Sequence, residues 1–193
     1  MPRCFAAVLL EDDVRAALVG EIERLRPLSR AVAWVPPQNL HLTLRFLGEQ
    51  DEAQVALAHE ALADVASCSA PFALTLHGLG GFPGLERPRI LWVGAAEGAL
   101  EARALQARLE GALERRGFGR EPPRPWHPHV TIGRVFDERR WRAGAGRELR
   151  PVMAAVATRS FGAFTVDSVA LMQSDLSPAG ARYSPLARIP FVG

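Results

Sequence analysis

Lysine is absent from this chain: all 23 basic residues are arginine. Its absence removes the phosphate-cradling lysine of Gly-rich P-loops, lysine Schiff bases and the lysyl-nucleotidyl intermediates of ATP-dependent nucleic-acid ligases. Any group that holds phosphate must therefore be arginine, histidine, a hydroxyl or a backbone N–H. Cysteine is scarce as well. Cys4 and Cys68 lie far apart with no partner motif, so neither a disulfide framework nor a cysteine-rich metal site is expected, and both thiols are read as inert. No purely apolar run approaches the roughly 18 residues needed to cross a bilayer. Met1-Pro2-Arg3-Cys4 passes straight into an apolar segment without the length or cleavage site of a secretory signal, so a cytoplasmic location is expected. Gly-x-Ser-x-Gly elbows and dinucleotide-binding glycine fingerprints are also missing.

What remains is the composition of a folded protein. The 193 residues are 48% hydrophobic and 23% charged, enough for one large domain or two small lobes around a sizeable core. A net charge of +2 is too small for a broad nucleic-acid footprint. The arginines nevertheless cluster: Arg115, Arg116, Arg120 and Arg124 on one side of residue 129, and Arg134, Arg139, Arg140, Arg142, Arg147 and Arg150 on the other. Two readings stay open for them, a solvated face interspersed with glutamate or an electrostatic funnel for a short anionic strand.

Periodicity predicts a buried strand over residues 3–10, then a helix capped at Asp12 or Asp13 and closed by Pro27. A strand comes next over 40–47, stopped by Gly48. Asp51 with Gln54 opens a second helix in the manner of a capping box. Strands are expected at 72–79 and 90–93 around a Gly/Pro-rich loop, 80–88, which is the expected seat of substrate choice. A third helix runs over 97–116. A Pro-rich approach leads into a strand at 129–135, and a weakly helical stretch, 137–160, precedes strands at 164–172 and 183–191. This order suggests an α+β fold of two pseudo-symmetric lobes, each an antiparallel sheet with packed helices. The expected organisation is one bilobal domain, 1–193, with halves of about 1–95 and 96–193, a shared core and a cleft between the lobes.

The sharpest internal echo is His41-Leu42-Thr43-Leu44 against His129-Val130-Thr131-Ile132. Strand side chains alternate, so each His and Thr share one face while the aliphatic pair occupies the other. Burying the aliphatic faces forces His and Thr outward, and if the lobes face each other across a pseudo-two-fold, both pairs line one cleft. Two imidazoles there can divide the work of phosphodiester cleavage: one takes a proton from water, the other protonates the departing alkoxide, and the two threonine hydroxyls bind the non-bridging oxygens. A single His-x-Thr is an ordinary strand feature. Its duplication with matched flanking residues is not.

The segments Asn39-Leu40-His41-Leu42-Thr43-Leu44-Arg45-Phe46-Leu47-Gly48 and Pro128-His129-Val130-Thr131-Ile132-Gly133-Arg134 resemble the paired motifs of the two-histidine (2H) phosphoesterase superfamily. Within it the chain is most similar to the RNA 2′,3′-cyclic phosphodiesterases, also called the 2′-5′ RNA ligase family. The likeness spans nearly the whole chain, including Ile90-Leu91-Trp92-Val93-Gly94 and the ending Ser174-Asp175-Leu176 with Gly180-Ala181-Arg182-Tyr183. It implies hydrolysis of RNA 2′,3′-cyclic phosphate ends to 2′-phosphomonoesters. His41 then resembles the proton donor, His129 the proton acceptor, and Thr43 and Thr131 the phosphate clamps. The resemblance also implies reversible, ATP-independent 2′-5′ joining of RNA, with tRNA halves among the candidate partners.

On a regular strand Arg45 shares the face of His41 and Thr43, whereas Arg134 and Phe46 have the wrong parity. The resemblance favours Arg134 as a phosphate ligand, and Gly133 offers a bulge that would re-aim it. Phe46 is either a stacking platform for a terminal base or ordinary core packing. His127-x-His129 lacks the further ligands of a zinc site; His59 and His77 are expected to be structural or solvent-exposed. No metal and no cofactor are expected, and a monomer is. Two alternatives stay open: a related phosphodiesterase acting on 2′-5′ oligonucleotides or small nucleotide cyclic phosphates, and a non-catalytic RNA-end-binding module.

Overall fold

A computed structural model describes residues 1–120, 125–177 and 180–193, so Arg124 lies outside the described residues. The fold is α+β. Nine strands form one curled sheet: β1 (Arg3–Leu9), β2 (Val32–Trp34), β3 (His41–Glu49), β4 (Phe72–Phe82), β5 (Ile90–Ala95), β6 (His129–Val135), β7 (Ser160–Val166), β8 (Ser168–Ser177) and β9 (Gly180–Pro190). Their spatial order is β7-β4-β5-β6-β3-β1-β8-β9, with β2 beside β6. Every pairing is antiparallel.

Helices α1 (Asp12–Leu25), α2 (Glu52–Ser67) and α3 (Ala99–Arg115) carry apolar stripes. Their buried residues join Leu42, Leu44, Leu74, Leu76, Leu91, Val93, Val130 and Ile132 in one large core. The capping box at Asp51 forms in full, with Gln54 N–H donating to the Asp51 carboxylate at 2.8 Å and Asp51 N–H to the Gln54 side chain at 3.2 Å. A short helical turn α4 (Glu138–Arg140) and helix α5 (Gly146–Ala155) occupy the weakly helical stretch. Among the described residues no helix is long and apolar enough to cross a membrane.

Several boundaries move. The expected loop at 80–88 begins later, because Gly80, Gly81 and Phe82 still belong to β4 and pair with Trp92, Leu91 and Ile90. The strand expected over 164–172 is two strands meeting at Asp167, whose carboxylate accepts from Ser168 Oγ at 2.7 Å and from Arg188. The strand order interleaves segments from residues 1–95 and 96–193. Strands β4 and β5 join β6 and β7 on one flank, while β8 and β9 return to β1 and β3 on the other. Hairpin pairing of β4 with β5, and of β8 with β9, sends each hairpin to one flank as a unit.

The two motif strands are neighbours at the centre of the sheet, with Leu42 opposite Val130. Leu42 and Val130 are fully buried, and Leu44 and Ile132 nearly so, at 2% and 1% exposure. A one-residue slip of either strand would turn these aliphatics out of the core. At about 1.5–3 kcal/mol for each side chain, that cost fixes the register.

Candidate active site

Both motif strands show the same inside–outside pattern over seven residues, from His41 to Leu47 in β3 and from His129 to Val135 in β6. The pattern breaks regular alternation at the same place in each. In β3, Ala7 pairs with Thr43 and Ala6 with Arg45, leaving Leu44 unmatched; in β6, Trp92 pairs with Thr131 and Leu91 with Gly133, leaving Ile132 unmatched. Each unmatched aliphatic is a bulge that reverses the parity of the residues after it. The bulge at Ile132 brings Arg134 back to the face of His129 and Thr131, and the bulge at Leu44 does the same for Phe46.

The same device turns Arg45 away from the face of His41 and Thr43, contrary to its parity on a regular strand. Arg45 is buried, 2.9 Å from the Glu110 carboxylate of α3, and it donates to the Gly119 carbonyl. Arg134 is exposed and faces no carboxylate among the described residues. Arg116, Arg120, Arg140, Arg142 and Arg150 each pair with an acid, as the solvated-face reading requires of that part of the cluster.

Around the central pair, one further step of the antiparallel register sets His41 beside Thr131 and Thr43 beside His129. Each imidazole is oriented by a backbone carbonyl two residues earlier. His41 Nδ1–H donates to Asn39 at 2.8 Å, and His129 Nδ1–H donates to His127 at 2.7 Å. This fixes one tautomer in both rings and leaves both Nε2 atoms as the working nitrogens. His41 Nε2 accepts from the Thr43 hydroxyl at 2.9 Å.

Aromatic rings flank each imidazole. Phe5 lies 4.8 Å and Tyr183 5.3 Å from His41, centroid to centroid; Phe82 lies 5.1 Å and Trp92 6.4 Å from His129. Phe5, Ala7, Ala170 and Met172 form a small apolar floor beside His41, separate from the main core. Phe46 stands 56% exposed with its ring 6.1 Å from Phe5. The orienting carbonyls escaped the sequence reading because every residue has one. The chain's single tyrosine, Tyr183, was a signal that could have been weighed.

Burial pushes the His41 imidazole down to about 4; the Asn39 carbonyl opposes this, and the charges of Arg134 and His129 add to it. Burial also lowers His129, against the pull of the His127 carbonyl. His59 lies on α2, and His77 lies on β4 opposite Gly94, which is itself opposite His129. Among the described residues no group of three or more His, Cys, Asp or Glu is clustered closely enough to hold a metal ion.

Residues 12–178 match the model of the 2′-5′ RNA ligase superfamily. The chain belongs to that superfamily. Similar members include proteins named RNA 2′,3′-cyclic phosphodiesterase from Archaeoglobus fulgidus and Thermus thermophilus. The first is 33% identical over 95% of this chain and 97% of its own length, the second 36% identical over 99% and 91%. Among solved structures, TT0787 of Thermus thermophilus superposes with a TM-score of 0.79 at 32% identity, covering 98% of this chain and 97% of its own. E. coli LigT complexed with 3′-AMP gives 0.77 at 26% identity, with both chains fully covered. The match to the 2′-5′ RNA ligase superfamily thus includes both motif strands, β3 and β6.

Proposed function

We propose that this protein hydrolyses the 2′,3′-cyclic phosphate of RNA ends to a 2′-phosphomonoester by metal-independent acid–base catalysis between two histidines. The observation that carries the reading is the pair of imidazoles on adjacent strands, each held by Nδ1 to a backbone carbonyl, which leaves Nε2 for a substrate. The names of the relatives supply the substrate class.

In this reading His129 Nε2 removes a proton from water, whose oxygen attacks phosphorus. The P–O3′ bond breaks, and the departing O3′ takes a proton from His41 Nε2. Thr43 and Thr131 donate to the non-bridging oxygens, Arg134 pairs with the phosphate, and Phe46 stacks on the terminal base. With its imidazole lowered to about 4, the resting His41 is neutral at pH 7, so its proton must arrive with the substrate. A phosphate anion about 4 Å away contributes on the order of 4 kcal/mol at an effective dielectric of about 20, or roughly three pKa units. That restores a donor near neutrality. A 5′-hydroxyl in place of water attacks the same phosphorus, P–O3′ breaks with O3′ taking the proton, and the RNA ends are joined through a 2′-5′ linkage without ATP; attack of O3′ with the 5′-hydroxyl leaving is the reverse.

The deciding experiment is multiple turnover of RNA ending in a 2′,3′-cyclic phosphate, in EDTA, with end-group analysis. The 2′-phosphate is the expected product, and His41→Ala and His129→Ala should each lose at least about 10²-fold in rate. Full activity in either variant would falsify the assignment. Salt-sensitive binding without product would instead make the chain an RNA-end-binding module.

A further inference from the structure

Resting on the RNA reading above, we propose that the strip of sheet beyond Arg134, centred on Phe136, binds the single-stranded nucleotides that precede the RNA end. Phe136 is 65% exposed, whereas Phe5, Phe161 and Phe164 are 2–4% exposed. Its backbone is nonetheless held: Phe136 N–H donates to the Ala31 carbonyl at 3.1 Å, extending the ladder between β6 and β2. After the bulge, Gly133 faces inward, Arg134 outward, Val135 packs on the core and Phe136 faces outward again. The ring therefore lies on the face of His129, Thr131 and Arg134, about 7 Å beyond Arg134 at roughly 3.3 Å per strand residue.

The surroundings are cationic rather than apolar. Arg30, next to Ala31, is exposed and has no partner among the described residues. Arg89, whose carbonyl accepts from Val135 N–H at 3.0 Å, has a side chain 82% exposed that reaches Glu138 only at 3.8 Å. The nearby acids are occupied elsewhere: Asp137 caps α4 and pairs with Arg140, and Glu138 holds Arg142 at 3.1 Å. An exposed ring two residues after Arg134, with the exposed Arg30 and Arg89 on the chain segments hydrogen-bonded to either side, is the combination that stacks a base and holds its phosphates, without regard to sequence. One isolated ring among guanidinium groups is a poor surface for a second copy of the chain.

The test compares cytidine 2′,3′-cyclic monophosphate with a pentanucleotide RNA carrying the same cyclic end. The expected result is that Phe136→Ala raises KM for the pentanucleotide at least about five-fold, as the loss of one stacked base implies, with a far smaller change for the mononucleotide. Phe136→Trp should restore the pentanucleotide KM, and Arg30→Gln should flatten the dependence of its KM on salt. Equal loss on both substrates, or no change on either, overturns the proposal. So does a sedimentation experiment in which Phe136→Ala dissociates a dimer. If the wild-type protein turns over neither substrate, the catalytic reading fails separately. The strip is then read by fluorescence anisotropy of a 5′-labelled, 3′-phosphorylated pentanucleotide, where an unchanged Kd in Phe136→Ala overturns it and a weakening of about five-fold or more supports it.

Discussion

Asn39 is tied to Ala181: its side-chain Nδ2 donates to the Ala181 carbonyl of β9 at 2.7 Å, while its own carbonyl receives the His41 Nδ1–H. The buried amide thereby sets the position of the atom that fixes the His41 tautomer. His127, which plays the corresponding part for His129, is exposed.

Removing this tether is expected to loosen His41 alone. Asn39→Ala should lower kcat by about ten-fold, as expected for partial loss of a positioned acid–base group, with little change in KM. Long-range ¹H–¹⁵N spectra should show His41 sampling both neutral tautomers while His129 keeps one. A single His41 tautomer in the variant would remove Asn39 from the account.

The lowered imidazoles make stability depend on pH with a definite sign. The unfolded chain binds a proton at His41 near 6.5, but the folded chain only near 4, so acid favours unfolding. Stability is complete above about pH 6.5 and falls as pH drops towards 4, by roughly 3 kcal/mol from His41. His129 acts in the same direction. Urea unfolding at intervals from pH 7.5 to 4.0 should show this slope, and His41→Gln should flatten it. Parallel curves for the two proteins would contradict the burial argument.

The Arg45–Glu110 pair is expected to be essential as a pair and dispensable as charge. Glu110→Ala removes the carboxylate that faces a guanidinium only 8% exposed, at a cost of about 3 kcal/mol. Joint replacement by Arg45→Met and Glu110→Leu should recover most of it. A double-mutant cycle without coupling would show that α3 and β3 are held by packing alone.

Gly80 seats the Trp92 indole. A methyl group there would lie 2.2 Å from Trp92 Cζ2, so Gly80→Ala must displace the ring, at about 1–3 kcal/mol for an overpacked site. Because Trp92 flanks His129 and stacks on Phe82 at 5.2 Å, kcat/KM should fall together with a change in tryptophan emission. Unaltered emission and activity would mean that the indole has room to spare.

The sequence made legible what depends on a strand's own side chains. Alternation in residues 41–44 and 129–132 was enough to put both His/Thr pairs on polar faces and the aliphatics in the core. What depends on a neighbouring strand was hidden. The bulges at Leu44 and Ile132 exist only relative to β1 and β5, so Arg45 was assigned the wrong face, and the proposed irregularity at Gly133 falls at Ile132 instead. Three-residue β2 is too short to show a period. The break at Asp167 was passed over because apolar residues flank it on both sides. Sheet order was likewise invisible, since the return of β8 to β1 is a long-range pairing with no local signature.

The matching bulges have a consequence for direction. Two identical bends in antiparallel neighbours make the central constellation read almost the same from either end, so the four His and Thr side chains cannot by themselves tell a bound diester which way round to lie. That choice falls to the positions where the halves disagree. After the bend, β3 presents a phenyl ring at Phe46 and β6 presents a cation at Arg134; beside His41 stands Tyr183, and beside His129 stands Trp92. In the proposed reaction, chemistry would sit on the shared elements and the polarity of the nucleic acid on the unshared ones. Exchanging Phe46 and Arg134 is therefore a question about orientation rather than about rate.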